Sequence, residues 1–172
     1  TIMRYCAVFL MFLFFSSPVF ADPLPDIKVN GSDGPVYATS GDTVAVAISL
    51  DPMERAGQDA DWWVGARTRH GWYGHDKATG NWVYAGASLN DITVWQQVPL
   101  TSLSGYELSN SSGLPPDVYE IYFAVDKDMD GVLDKNSSFY DSAVLNGITL
   151  FLPDTGQTQS YTNTFGADSD YT

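Results

Sequence analysis

The chain of 172 residues carries 21 Asp and Glu against eight Lys and Arg, a formal net charge of −13, which excludes nucleic acid as a partner because such a surface repels phosphate. With 44% hydrophobic and 14% aromatic residues, the composition is that of a folded domain and not of a disordered segment. Cys6 is the only cysteine, so an intramolecular disulfide is excluded.

The first 21 residues, TIMRYCAVFLMFLFFSSPVFA, place one basic residue, Arg4, ahead of an apolar run over residues 7–15, with Val19 and Ala21 at the cleavage positions. This is the pattern of a secretory signal peptide, and the run is shorter than the roughly 20 residues that cross a bilayer. Cleavage after Ala21 removes Cys6 and Arg4, the only charged residue of the leader, which takes the formal charge to −14. The expectation is a secreted or extracytoplasmic protein, at the cell surface or in the periplasm, with no membrane span after cleavage. It divides into a signal peptide over 1–21, a β-sandwich domain over 22–150 and a polar tail over 151–172.

After the leader, three short apolar segments are separated by the turn dipeptides Asn30-Gly31, Asp33-Gly34 and Gly41-Asp42. The third alternates strictly, with Val44, Val46, Ile48 and Leu50 on one face, which predicts a half-buried strand. Residues 51–61, DPMERAGQDAD, are polar and too short for a stable helix, and read as a loop. A meander of short strands follows, around residues 62–66, 72–73 and 82–84, broken at His70-Gly71 and at Thr79-Gly80-Asn81. Between 88 and 112 the pattern weakens to one strand near 93–96 and a serine-rich loop at 109–113.

The segment LPPDVYEIYFAVD holds the strongest strand, with Tyr119, Ile121, Phe123 and Val125 alternating against Val118, Glu120, Tyr122 and Ala124. FYDSAVLNGITLFL supplies the last strand or two. No segment sustains a helical period, and short strands with frequent turn signals predict an all-β, immunoglobulin-like antiparallel β-sandwich, a barrel or jelly roll being the alternative. Tyr119, just after a Pro-Pro-Asp corner, is placed to bond back to the preceding loop, and Trp62 or Trp63 suits the central core position of such sandwiches.

Between these C-terminal strands lies DKDMDGVLD, in which a calcium loop would take side-chain oxygens from Asp126, Asp128, Asp130 and Asp134 and the carbonyl of Val132. Gly131 stands where the sharp turn needs glycine, and Leu133 where the loop needs an apolar anchor. The stretch resembles the calcium loops of EF-hands, dockerins and thrombospondin-type repeats. It departs from them at the twelfth position, where Ser137 replaces a bidentate glutamate, so Asp141 is the expected substitute ligand. Calcium is thus the expected cofactor, tying two strands together in a chain without disulfides. A solvated turn at Asp130-Gly131 is the simpler reading, but it does not require carboxylates in this register.

His70, His75 and Asp76 could ligate a transition metal, although a glycine-hinged turn explains the same residues without a ligand spacing. Trp72, Tyr73, Trp82 and Tyr84 would form a sugar-stacking or protein-docking face if exposed, and core filling if not. Catalytic signatures are lacking: there is no cysteine nucleophile after cleavage and no G-x-S-x-G elbow, and Glu54 with Asp59 or Asp61 offers carboxylate pairs in a loop with no sign of burial. The match of residues 152–156, LPDTG, to a sortase signal is accidental, because a polar acidic segment follows it instead of an apolar span and basic tail. Asn30, Asn110 and Asn136 begin glycosylation sequons that read otherwise as turn chemistry.

Taken together, ADWWVGARTRHGWYGHDKATGNWVYAG, LPPDVYEIYFAVDKDMDGVLD and FYDSAV resemble a small accessory domain of secreted bacterial proteins, over about residues 26–145. The resemblance implies an extracytoplasmic β module with calcium ligands at Asp126, Asp128, Asp130 and Asp134, and no catalysis. The expected function is non-catalytic adhesion or extracellular assembly, with a surface protein or glycan as partner or self-assembly through the tail, where Tyr161 and Phe165 suit a strand added to a neighbouring sheet. A carbohydrate-binding module built on the four aromatics is the alternative.

Overall fold

The structure, a computed structural model, describes residues 21–133 and 144–152. In chain order the strands are β1 (Leu24–Val29), β2 (Val36–Tyr37), β3 (Val44–Asp51), β4 (Asp61–Thr68), β5 (Gly71–Asp76), β6 (Asn81–Gly86), β7 (Gln96–Gln97), β8 (Leu103–Ser111), β9 (Asp117–Asp126) and β10 (Val144–Leu152). Two single 3₁₀ turns, Met53–Arg55 and Leu89–Asp91, are the only helical pieces among the described residues.

The strands form two sheets. One has the order β1-β3-β8, and the other β2-β10-β9-β4-β5-β6, with β7 beside the first residues of β4. Every pairing is antiparallel except that of β2 with β10. The chain is therefore all-β.

One core joins the two sheets. It takes Ile27 and Val29 from β1, Val44, Val46, Ile48 and Leu50 from β3, Trp62, Val64 and Ala66 from β4, and Ile121, Phe123 and Val125 from β9. The alternation read in β3 and β9 arises because successive side chains of a strand point to opposite faces, so every second residue enters the core.

Strand β4 breaks that rule, since its first six residues, DWWVGA, are all buried. Trp62 faces the other sheet, beside Phe123 of the neighbouring strand β9 at 5.9 Å between ring centroids, and its indole Nε1–H donates to the Val98 carbonyl at 3.1 Å. Trp63 points to the opposite side, into a second apolar cluster with Trp72, Ile92 and Ala124. Residues around the Leu89–Asp91 turn and Leu133 cover that outer face. A strand at the centre of a sheet, covered on both sides, has to be apolar throughout.

The weak region at 88–112 is where sequence reading and structure part. The strand expected near 93–96 reduces to the two residues of β7, whereas residues 109–111 of the serine-rich stretch read as a loop are the end of the nine-residue strand β8. Strand β8 lies at a sheet edge with Leu108 as its only fully buried residue, so it lacks the alternation that marks a strand facing a core. The last strand runs through Leu152, two residues past the domain boundary expected at 150, and Phe151 and Leu152 are both buried.

Two polar contacts hold loops and sheets to this frame. The Tyr119 hydroxyl donates to the Pro115 carbonyl at 2.8 Å, the back-bond expected of a tyrosine at such a corner. Burial, and next the charge of Asp117, push its phenol up to about 12. His75, 5% exposed, accepts from the Trp95 indole N–H at its Nδ1 (3.0 Å), so its Nε2–H donates to the Leu108 carbonyl of β8 (3.1 Å) and links the two sheets. The two bonds together require the neutral ring.

Tyr119→Phe is expected to cost about 1 kcal/mol, seen as a fall of about 2–4 °C in melting temperature. For His75 the fall in pKa from 6.5 comes first from burial. Above pH 6.5 the ring is neutral in both folded and unfolded chains. Below that value the unfolded chain takes up a proton that the folded one resists, so stability falls with pH, by at most about 1.4 kcal/mol per unit. Melting curves at pH 7.5 and 5.5 should therefore diverge more for the wild type than for His75→Gln.

Candidate functional site

The aspartate loop leaves the end of β9, and strand pairing places a further carboxylate beneath it. Asp61, the first residue of β4, is the register partner of Asp126, the last residue of β9, and both are 0% exposed. Asp61 accepts a hydrogen bond from the Gln97 side-chain amide at 2.8 Å through Oδ1 and from the Gly131 backbone N–H at 2.5 Å through Oδ2. One buried carboxylate thus fastens the turn of the loop to the sheet. Gly131 adopts φ +78°, a left-handed conformation that glycine takes without strain.

Within the loop, the Asp128 N–H donates to the Asp126 side chain at 3.3 Å and the Val132 N–H to that of Asp130 at 2.8 Å. Leu133 packs into the outer apolar cluster beside Trp63. Lys127, the only base of the motif, pairs with Asp22 at 3.2 Å. Asp134 and Asp141 lie outside the described residues. Among the described residues no three His, Cys, Asp or Glu side chains converge closely enough to hold a metal ion.

Asp61 is the position that sequence reading undervalued, because it was read as part of an open polar loop. Its signal was the Trp-Trp pair that follows it. A strand buried on both faces begins there, and its first residue is drawn inside with it. Glu54 lies in the Met53–Arg55 turn and Asp59 is exposed, so neither stands with Asp61 as a buried carboxylate pair.

The four aromatics do not form one face. Trp72 is 8% exposed and packs on the outer side of the larger sheet, 5.7 Å from Tyr122 between centroids. Tyr73, the next residue, faces the other side for the same pleat reason that separates Trp62 from Trp63. It meets Tyr84 edge-on at 5.4 Å, while Trp82 meets His75 at 5.2 Å and packs against the main core. Only Tyr84, 54% exposed, is open to solvent as a stacking platform would need to be. Of Trp72, Tyr73, Trp82 and Tyr84, expected as one face if exposed and as core if not, Tyr73, Trp82 and Tyr84 share one side of the sheet, with Tyr84 exposed, and Trp72 is buried on the other.

The histidines separate as well. His70 sits exposed in the β4–β5 turn, 3.9 Å from Asp117, and His75 is buried five positions further along. Asp76 turns its carboxylate to Ala78 N–H and Thr79 Oγ1–H of the next turn, and these bonds hold its pKa below the ordinary carboxylate value. The three do not meet as a ligand set. No protein-family model, curated protein or solved structure matches this chain.

Proposed function

We propose that the chain is a secreted, non-catalytic, calcium-stabilised immunoglobulin-like β-sandwich that acts in cell-surface adhesion or extracellular assembly. The observation that carries the calcium reading is the pairing of two fully buried aspartates, Asp61 and Asp126, on neighbouring strands under a loop that adds Asp128 and Asp130. Two carboxylates side by side at a buried strand end repel, and a bound cation would offset that repulsion alongside the hydrogen bonds that Asp61 accepts from Gln97 and Gly131. An all-oxygen, carboxylate-rich donor set suits calcium, with Asp126, Asp128, Asp130, the Val132 carbonyl, Asp134 and Asp141 as ligands and Asp61 positioning the turn.

The immunoglobulin-like reading is supported by four features. The N-terminal strands divide between the sheets, β1 pairing in one and β2 running parallel to β10 in the other. The central strands of the larger sheet are β10, β9, β4 and β5. Trp62 fills the core from the strand where such domains carry a tryptophan, and Tyr119 makes the corner bond.

Secretion rests on the leader-like residues 1–21. Assembly is favoured over a glycan partner by the edge strand β8. It spans nine residues, largely exposed, with a free ladder side among the described strands, which is the template that an added strand uses. The aromatic placement gives the carbohydrate-binding alternative little to stand on.

Calcium at a hundredfold excess over its dissociation constant should raise the melting temperature by about 5–10 °C relative to chelator. Asp128→Ala should abolish most of that rise, and Asp61→Ala should reduce it. Identical transitions with calcium, with chelator and in Asp128→Ala would remove the calcium reading. For assembly, light scattering should show concentration-dependent polymers that disappear when residues 157–172 are deleted, and a strictly monomeric full chain would exclude self-assembly.

A further inference from the structure

At the end of the two-sheet core remote from the aspartate loop, the sheets enclose an open cleft of about 230 Å³. Along β9 the cleft is lined by Asp117, Tyr119 and Ile121, and the aspartate loop begins at Asp126, roughly 17 Å beyond Ile121 at about 3.3 Å per residue. The cleft's lining is largely apolar: Val44 and Val46 of the smaller sheet and Ile121 and Leu150 of the larger one form a closed, fully buried base, and Tyr73, Trp82, Leu114 and Tyr119 are the half-buried groups above it. Close-packed interiors hold few voids larger than a water molecule. This one persists because β8 contributes Ser109 and Ser111 opposite Val46 and Val44, where larger side chains would close the gap. The Trp82 indole N–H reaches Ser109 Oγ at 3.4 Å and braces one wall.

The mouth has a different chemistry. Arg69 and His70, with side chains 68% and 65% exposed, stand at the rim, while Asp117 sits behind them at 8%. Arg69 Nε–H donates to His70 Nε2 at 3.1 Å and lies 3.4 Å from the Asp117 carboxylate, and one Nη of the guanidinium donates to the Pro116 carbonyl at 3.4 Å. Of the five N–H groups in an arginine fork, others remain for a ligand. Arg69 is the one lysine or arginine among the residues lining the cleft, beside the single carboxylate of Asp117.

We infer that the cleft binds a small aromatic carboxylate, with its ring against Tyr73, Trp82, Leu114 and Tyr119 and its carboxylate on Arg69. An apolar cavity of about 150 Å³ accommodates one benzene ring, so a volume of about 230 Å³ takes a ring with a short arm. A larger ring system or a long acyl chain exceeds it. The same chemistry is offered by a free aromatic acid and by a peptide ending in phenylalanine. The site is independent of the calcium loop, and its test does not depend on metal.

The experiment is an amide chemical-shift titration of the full chain with phenylacetate, phenethylamine, benzyl alcohol and N-acetylphenylalanine. Phenylacetate should bind saturably with a dissociation constant on the order of a millimolar, shifting residues of the cleft and leaving residues 126–133 unmoved. Arg69→Gln, a surface change, should weaken phenylacetate about tenfold and leave benzyl alcohol unchanged, and Ala66→Leu should block both by filling the floor. N-acetylphenylalanine binding more tightly than phenylacetate would assign the ligand to a peptide terminus, and the reverse order to a free acid. The inference is overturned by non-saturable shifts, by phenethylamine binding as well as phenylacetate, or by Arg69→Gln affecting acid and alcohol alike.

Discussion

Strand β4 has to be covered on both faces. It lies between β9 and β5 in the larger sheet, with Trp62 on one side and Trp63 on the other, and burying a large aromatic side chain is among the strongest stabilising contributions available to a domain of this size. In a chain whose only cysteine lies outside the described residues, that burial holds the sheet together. Much of the remaining architecture follows from supplying the two covers.

The inner cover is the smaller sheet, whose β3 valines and isoleucine meet Trp62, Phe123 and Ile121. The outer cover is assembled from pieces: the segment around the Leu89–Asp91 turn brings Ile92 over Trp63, and Leu133 arrives from the aspartate loop. That loop is therefore tied to the core twice, through Leu133 and through the Asp61 carboxylate on the Gly131 amide. A cation there would add a third tie at the same strand end. At the opposite end no large side chain of β8 reaches inward, and the sheets part into the cleft.

The regular strands were legible wherever one face is wet. Residues 44–50 and 118–125 announce themselves by alternation, because a half-buried strand samples core and solvent in turn. Strand β8 escaped for the converse reason: an edge strand with little buried surface carries no such pattern, and LSGYELSNS resembles a loop by composition. Asp61 escaped because a carboxylate is ordinarily exposed, and its one local mark, the Trp-Trp pair after it, does not show that pairing with β9 and β7 encloses it. The aromatics of 72–84 were legible as a group, but a group close in sequence divides between two surfaces once the pleat alternates.

The sequence alone marked an all-β chain of acidic composition, turns at the glycine dipeptides, a tyrosine, Tyr119, placed to bond back and a run of alternating aspartates from Asp126. These depend on period, composition and short spacing, which are local. The tertiary structure decided which tryptophan faces which core, that Asp61 lies under the loop, that His75 links the sheets through Leu108 and that serines opposite valines leave a cleft. Each of these joins residues far apart in the chain. Strand register sets such contacts, and register is fixed by how the whole core packs.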